Sequence, residues 1–183
     1  LSANIDHDFR EKMLKKNIID YVNKGGIEDI KYIIESLQRL EKNKAHTILL
    51  VDDSLVVRKQ MQTLLENMYF SVIAVAHGEE ALAMLEIHDN ISLVLTDYNM
   101  PVMDGLELTQ KIRKKYDKKR LPIMALSSDD DSATLAMFLK KGANDYIKKP
   151  FSKEEFSCRI NNAIESLEYI NLLTTYDVSF DDL

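Results

Sequence analysis

From residue 47 onward the chain alternates short apolar runs with longer amphipathic stretches, and this alternation restricts the possible folds most strongly. The apolar runs are nearly continuous, which is typical of parallel strands buried on both faces. Each amphipathic stretch between them is a predicted helix, and strands alternating with helices imply right-handed crossovers. The sequence therefore predicts an α/β fold, a doubly wound parallel sheet with helices on both faces. Its five predicted strands are TILLV, SVIAVA, ISLVLTD, LPIMALS and NDYIKK.

The composition, with 45% hydrophobic and 30% charged residues, is that of a globular protein. The net charge is -6, and no tract of Lys, Arg and aromatic residues could follow a phosphate backbone, so we expect no direct binding of nucleic acid. No apolar stretch approaches the roughly 18 residues needed to span a bilayer. The sequence therefore predicts a cytoplasmic protein without membrane contact. The single cysteine, Cys158, is predicted to be a small core residue, and the four histidines are predicted at the surface (His7, His46, His77, His88).

Polar side chains are predicted to meet at one edge of the sheet. In open α/β sheets ligands bind beyond the carboxyl ends of the strands, where neighbouring crossovers diverge. Four of the five predicted strands end there in polar residues: Asp52 and Asp53, Asp97, Ser127 and Ser128, and Lys148 and Lys149 before Pro150. One such residue could simply cap the next helix, but the whole set indicates a functional site.

Three carboxylates packed together repel one another unless a positive charge lies among them. Magnesium provides that charge, and it typically takes one or two carboxylates together with phosphate oxygens. Asp53 and Asp97 are candidate direct ligands, with Asp52 acting through water or as a base. A carboxylate can also be the nucleophile that forms an aspartyl-phosphate, while Ser127 and Lys149 supply donors for the phosphoryl oxygens.

The segments LLVDDS, LVLTDYNMPVMDG, IMALSS and DYIKKPF resemble the signature segments of the receiver domain of bacterial two-component response regulators. The resemblance covers about residues 46 to 167, and the segments agree in identity, order and spacing. It implies a flavodoxin-like fold with strand order 2-1-3-4-5. It also implies a phosphoryl acceptor with intrinsic autodephosphorylation, not an enzyme, that is phosphorylated by a sensor histidine kinase or a phosphotransfer protein.

The resemblance implies a role for each matching residue. Asp97 would accept the phosphoryl group, and Mg2+ would be held by Asp52, Asp53, Asp97 and the backbone carbonyl of Asn99. Ser127 would hydrogen-bond the phosphoryl oxygen, Lys149 would pair with it, Tyr146 would change rotamer with state, and the bond before Pro150 would be cis.

Two further groups of residues lie near this site. Asn99 and Asp129 stand two residues after Asp97 and Ser127, and we expect them to tune dephosphorylation. Met100, Met103 and Gly105 are expected to shape the loop after the third strand, with Gly105 serving a turn and the methionines filling space.

The first 24 residues resemble a later part of the chain. With an offset of 125, nine of the 24 positions match residues 126 to 149, where about one or two matches are expected by chance. We expect residues 1–45 to be a receiver-like α-β-α remnant of an earlier receiver, comprising the end of strand 4, helix 4, strand 5 and helix 5, in a chain that begins inside a longer protein. This remnant would dock on the complete receiver, residues 46–170, or on a partner, and residues 171–183 would form an extension or linker.

The residues argue against two other functions and leave a third as an alternative. A haloacid-dehalogenase-like phosphatase needs a second Asp two residues after its nucleophile on the first strand, and position 54 is Ser. A nucleotide-binding domain would need a glycine-rich loop after that strand, which DDSLVVRK lacks. A non-catalytic dimerisation or scaffold module of a tandem-receiver protein that regulates a cyclic-dinucleotide synthase output stays an alternative. A homodimer and an output domain or partner protein are among the expected partners.

Overall fold

The computed structural model describes residues 27–128 and 132–181. In chain order the elements are helix α1 (Ile27–Asn43), strand β1 (Thr47–Val51), α2 (Leu55–Asn67), β2 (Ser71–Val75), α3 (Gly78–Ile87), β3 (Ile91–Asp97), α4 (Gly105–Arg113), β4 (Ile123–Ser127), α5 (Ser132–Lys140), β5 (Asp145–Lys148) and α6 (Lys153–Asp181). The predicted alternation of strands and helices after residue 46 is confirmed. The helix and strand expected in residues 1–26 lie outside the described residues.

The five strands form one parallel sheet in the order β2-β1-β3-β4-β5. This order confirms the predicted flavodoxin-like arrangement. The chain direction across the sheet reverses at β1, because β2 lies on one side of it and β3 on the other. The carboxyl ends of β1, β3 and β4 are neighbours at this point, so the residues that follow them share one edge.

Each face of the sheet is covered by helices because the strands are apolar on both sides. On one face, α2 and α6 bury Met61, Leu65, Phe156 and Ile160 against the strands. On the other face, α3 and α4 bury a separate cluster around Leu49, Val51 and Val94. The β1 residues are completely buried, at 0% exposure from Ile48 to Val51. Burial on both faces explains why this run carries no polar residue before Asp52.

Helix α1 docks on the α/β domain formed by the sheet and the later helices, through polar contacts near its C-terminal end. The Arg39 guanidinium donates to both carboxylate oxygens of Glu168 on α6, at 2.8 and 2.6 Å. Asn43 is fully buried and its amide nitrogen donates to the Met68 carbonyl at the end of α2. Within residues 1–43, the described helix α1 therefore contacts the rest of the chain through Arg39 and Asn43.

Two predictions about single side chains are wrong. Cys158 is exposed, because the sheet-facing positions of α6 are Phe156, Ile160 and Ile164, and Cys158 lies off that stripe. His46 is largely buried and only partly at the surface, since 14% of its side chain is exposed and its ring contacts Glu168 at 2.9 Å and Ser92 at 2.9 Å.

Helix α6 continues without a break from Lys153 to Asp181, so it crosses the boundary predicted at residue 170. The segment expected to be an extension or linker therefore begins as a continuation of the last helix of the α/β domain. None of the helices in residues 27–128 and 132–181 combines the length and apolar character needed to cross a lipid bilayer.

Candidate functional site

Asp52 follows β1 directly and its side chain is only 2% exposed. One carboxylate oxygen accepts from the Ser54 backbone N–H at 3.0 Å, and the other accepts from the Lys149 ammonium at 3.2 Å. Ser54 in turn caps α2, because its hydroxyl accepts from the Val57 N–H. The cap ends the strand and turns the chain at the point where Asp52 and Asp53 enter the cleft. Asp53 is exposed beside it.

Asp97 is the last residue of β3, the strand between β1 and β4. Its side chain is 13% exposed, so the carboxylate still reaches solvent at the edge of the sheet. Carboxylate oxygen Oδ1 accepts from the Lys149 ammonium at 2.7 Å. Lys149 follows β5 and thus bridges two carboxylates, Asp52 and Asp97, from the far side of β4. The structure brings these three predicted residues together.

The pKa of Asp97 is raised above its ordinary value. Burial is the main cause, since it disfavours the charged carboxylate, and the nearby negative charges of Asp52 and Asp53 act in the same direction. Lys149 opposes this shift through its hydrogen bond and its positive charge. The three acids therefore interact electrostatically, and Lys149 does not fully offset the combined effect of burial and the neighbouring negative charges on Asp97.

Ser127 ends β4 and is 2% exposed. Its carbonyl accepts from the Lys149 backbone N–H at 2.7 Å, which fixes the start of the segment after β5 relative to β4. The bond between Lys149 and Pro150 is cis, as the resemblance implies. Tyr146 is partly buried and packs on a small cluster around Ala125, Phe138 and Ala143. Asp129 lies outside the described residues.

The loop after β3 comes extremely close to the backbone of Asp97. A Cβ placed on Gly105 would lie 2.2 Å from the Asp97 carbonyl oxygen, so only glycine fits. Gly105 was expected to serve a turn. The structure shows instead that it is the first residue of α4 and that glycine is needed there because the Asp97 backbone lies so close. Met100 and Met103 are 8% and 4% exposed and fill space beneath the loop, as predicted. The side chain of Asn99 is exposed.

Two residues near the site were not predicted. The Arg58 guanidinium donates to the Asp52 backbone carbonyl from the first turns of α2. The buried Thr96 hydroxyl donates to the Asp97 carbonyl at 3.0 Å. A basic residue on the helix that follows the acid pair weakly indicates a contact with that site, so Arg58 could have been found from the sequence. Thr96 could not be distinguished from any other β-branched strand residue.

The donor chemistry of this edge suits a hard divalent cation. Carboxylates and backbone carbonyls are the oxygen ligands that magnesium prefers. Burial and, to a smaller extent, the charges of Asp52 and Asp53 raise the pKa of Asp97, and a bound cation would favour its charged form. Asp52, Asp53, Asp97 and the Asn99 carbonyl are the candidate ligands. In the described part of the chain, however, no three His, Cys, Asp or Glu side chains already have the spacing of a metal site. Lys149 is instead the cation that contacts Asp52 and Asp97.

The sequence is similar to a known protein family and to known relatives. The family model described as the response regulator receiver domain matches residues 48–161. A transcriptional regulator of Cyanidium caldarium, ycf27, is 35% identical over 142 residues, which are 77% of this chain and 55% of that protein. The chain thus spans about half the length of this curated relative.

Two solved structures extend the comparison. A structure described as a two-component system response regulator/GGDEF domain protein superposes with a TM-score of 0.84 at 38% identity, covering 91% of this chain and 68% of that one. The receiver domain of the sensor histidine kinase PA1611 from Pseudomonas aeruginosa PAO1, with magnesium coordinated in its active-site cleft, gives a TM-score of 0.60 at 30% identity. It covers 66% of this chain and 98% of its own.

Proposed function

The chain belongs to the response regulator receiver domain family, and from this premise we propose that it accepts a phosphoryl group on Asp97. The donor is the phosphohistidine of a sensor histidine kinase or of a phosphotransfer protein. The observation that carries the proposal is the contact of the Lys149 ammonium with Asp97 and Asp52, at 2.7 and 3.2 Å, at the strand edge. This contact joins a nucleophile, a second acid and a cation in one small cleft.

The nucleophile is the Asp97 oxygen Oδ2, because Oδ1 accepts from Lys149. It attacks the phosphorus atom, so a P–O bond forms while the P–N bond of the donor breaks, and the bonding electron pair passes to the imidazole nitrogen. Lys149 then exchanges its contact with the carboxylate for one with a phosphoryl oxygen. Ser127 donates its hydroxyl to another phosphoryl oxygen.

Asp52, Asp53, Asp97 and the Asn99 carbonyl would hold magnesium. When bound, magnesium neutralises negative charge on the carboxylates and on the phosphoryl oxygens. The magnesium described in the active-site cleft of the related PA1611 receiver domain supports this assignment. The exposed Asp53 carboxylate is free to reorient toward a cation, whereas the Ser54 N–H and Lys149 hold that of Asp52.

Hydrolysis of the aspartyl-phosphate would then reset the protein. Water must approach the phosphorus atom past the side chains that surround it, so their size and polarity set the rate. We assign this tuning role to Asn99 and Asp129. Asn99 is exposed at the start of the loop after β3, where it can contact an approaching water.

The proposal is tested by incubating the chain with a small-molecule acyl phosphate and following its intact mass. We expect the mass of one phosphoryl group to be gained when magnesium is present, and little gain in the presence of a chelator. The matched control is Asp97→Asn, which keeps size and hydrogen-bonding capacity but removes the nucleophile. Equal uptake by this variant, or no uptake by the unaltered chain, would refute the proposal.

Phosphorylation would change an interaction surface or an output domain. Ser127 and the residues after it would move toward the phosphoryl group, and Tyr146 would repack against the cluster around Phe138. The output could be an attached domain, since one relative is a response regulator/GGDEF domain protein. A second candidate function, a dimerisation or scaffold module, is favoured by the exposed apolar residues Leu172 and Leu173 on α6.

A further inference from the structure

Helix α5 runs from the edge of the sheet that carries the site to the opposite edge. It begins at Ser132, shortly after Ser127 at the carboxyl end of β4. It ends at Lys140, and the chain then enters β5 at Asp145. Because β4 and β5 are parallel, this end of α5 lies near the amino ends of the strands, away from the site. The helix therefore connects the two edges of the sheet.

The Arg113 guanidinium holds the end of α5 that is remote from the site. Arg113 is the last residue of α4 and is partly buried. Its Nε donates to the Gly142 carbonyl at 2.7 Å, and Nη2 donates to the side-chain oxygen of Asn144 at 2.9 Å. Its Nη1 donates to three carbonyls of the segment before β4, at 3.2, 3.3 and 2.9 Å: those of Tyr116, Asp117 and Leu121. One side chain thus joins the segment after α4 to the segment after α5.

The backbone at Gly142 permits this contact. Its φ of +121° lies in the left-handed region that favours glycine, and a Cβ placed on it would lie 2.7 Å from Cγ of Arg113. Burial lowers the pKa of Arg113 to about 10, which is still far above neutral, so the guanidinium stays charged. A positive charge is favourable here, because the C-terminal end of a helix is the negative end of its dipole. Glycine is therefore needed where Arg113 crosses the chain.

Two further side chains reinforce this end of α5. The Lys118 ammonium donates to the carbonyls of Leu139 and Ala143, at 3.2 and 3.0 Å. The side-chain oxygen of Asn144 accepts from the Ile123 N–H at 3.0 Å, and its nitrogen donates to the Lys118 carbonyl at 3.1 Å. Ile123 is the first residue of β4. The end of α5 is thus fixed to the start of the strand that leads to the site.

The apolar contact of α5 lies at the same end. Among the side chains described on this helix, Phe138 is 2% exposed and packs with Ala125 and Ala143. Its neighbours Met137 and Leu139 are 47% and 37% exposed. Phe138 belongs to the last turn of α5, beside the residues that Arg113 and Lys118 hold. Within residues 135–140, the helix is therefore anchored at its C-terminal end.

We propose that Arg113 is the fixed point about which α5 tilts on phosphorylation, an inference that rests on the function proposed above. Ser127 and the residues after it move toward the phosphoryl group, and the start of α5 follows them. The end of α5 stays where Arg113 holds the Gly142 carbonyl, so the helix tilts instead of shifting as a whole. Arg113 is a positioning residue, because it acts through α5 from the edge opposite Asp97.

The tilt is tested on the full chain by double electron–electron resonance, which measures distances between two nitroxide labels. The single cysteine, Cys158, is exposed on α6 and carries the reference label. The second label is placed on α5 through Ala136→Cys or Lys140→Cys, at exposed positions that lie on the same side of the helix. Phosphorylation should change the distance from Cys158 to position 136 and leave the distance to position 140 unchanged.

The tilt and the proposed function can fail separately. Acyl phosphate and magnesium are added before the samples are frozen, and the intact mass of the same samples reports phosphoryl uptake. Phosphoryl mass with equal displacement at both positions, or with displacement at neither, would overturn the tilt and leave the proposed function standing. A chain that gains no phosphoryl mass would overturn the proposed function, and the tilt with it.

Variants of Arg113 identify the residue that holds the helix. In Arg113→Gln the distance to position 140 should also respond to phosphorylation, while phosphoryl uptake stays normal. Arg113→Lys keeps the charge but not the planar fork, and it should show the same response in smaller measure if the first variant does not fold. Lys114→Gln removes the same charge from the exposed neighbouring residue and should behave like the unaltered chain. A distance to position 140 that Arg113→Gln alters equally with and without phosphorylation would show a purely structural role and contradict the proposal.

Discussion

At the scale of single residues, opposing electrostatic effects determine the ionisation of Asp97. Burial and the neighbouring acids raise the pKa of Asp97, while Lys149 lowers it. The proposed reaction requires an ionised Asp97. In it Lys149 would have two functions, because it favours the charged carboxylate before the reaction and would pair with the phosphoryl group afterwards. Asp52 is held by the Ser54 N–H and by Lys149, which limits how far it can move.

Replacing Lys149 with alanine should therefore slow phosphoryl uptake by roughly 100-fold, the scale of losing one charged donor in a preorganised site. The pKa of Asp97 should rise further in this variant, because the group that lowers it is gone. The measurement is the rate of mass gain with an acyl phosphate and magnesium. Lys148→Ala is the control, since the exposed Lys148 immediately precedes Lys149, and it should react at the normal rate. Similar rates for the two variants would refute the function of Lys149.

Gly105→Ala should disturb Asp97 through the backbone. The new methyl group would meet the Asp97 carbonyl oxygen at 2.2 Å, so β3 or α4 must shift. We expect a loss of about 1 to 3 kcal/mol in the free energy of unfolding, the usual cost of overpacking, together with slower phosphorylation. Gly78→Ala is the comparison, because its methyl group would meet the flexible Met103 side chain. Urea denaturation that gives equal losses for both variants would contradict this explanation.

At the scale of secondary-structure elements, the contact between α1 and α6 is unusual because its centre is ionic. Arg39 contacts both oxygens of Glu168, and the His46 ring contacts the same carboxylate. The pair is only partly buried, since 10% of the Arg39 side chain and 27% of the Glu168 side chain are exposed. Removing one partner is still unfavourable, because it leaves the other charge partly desolvated without compensation. The contact therefore holds the helices in one relative position more than it adds to overall stability.

This contact should make stability depend on pH. Arg39, and then His46, lowers the pKa of Glu168 from 4.5 to about 2. A carboxyl whose pKa is lower in the folded state stabilises the fold above pH 4.5, and this contribution is lost as the pH falls toward 2. Glu168→Gln should be less stable than the unaltered chain at neutral pH, and the difference should shrink across that interval.

Urea denaturation from pH 7 down to about pH 2 measures this difference. Glu165→Gln provides the control, since Glu165 is 44% exposed and lies 3.7 Å from Arg39. Its effect on stability should be much smaller at every pH. A difference between the unaltered chain and Glu168→Gln that stays constant with pH would show that the ion pair contributes nothing to the pH dependence.

At the scale of the whole molecule, the fold and the strand-edge residues could be predicted because both depend on local patterns. Apolar runs of strand length determine the parallel sheet, and parallel strands bring Asp52 and Asp97 to one edge. Contacts between distant side chains could not be predicted in this way. Arg39 and Glu168 are 129 residues apart, and neither carries a local signal of its partner.

The errors have the same origin. Helical periodicity predicts that α6 has an apolar stripe, but it does not show how wide that stripe is. Cys158 is therefore predicted in the core, whereas in the structure it lies beside the stripe and is exposed. The apolar residues of α1 recur at helical spacing in the sequence, but nothing local indicates that several of them stay exposed while Arg39 and Asn43 face the sheet domain. Such an inversion becomes visible only when the exposure of each side chain is known.

The most direct test of the account is to locate the phosphoryl group. The chain is phosphorylated with an acyl phosphate and magnesium and reduced with borohydride, which converts an aspartyl-phosphate to homoserine. The protein is then digested and its peptides are sequenced by mass spectrometry. We expect homoserine at position 97 and at no other position. Homoserine at position 52 or 53, or its absence from a chain that has gained phosphoryl mass, would contradict it.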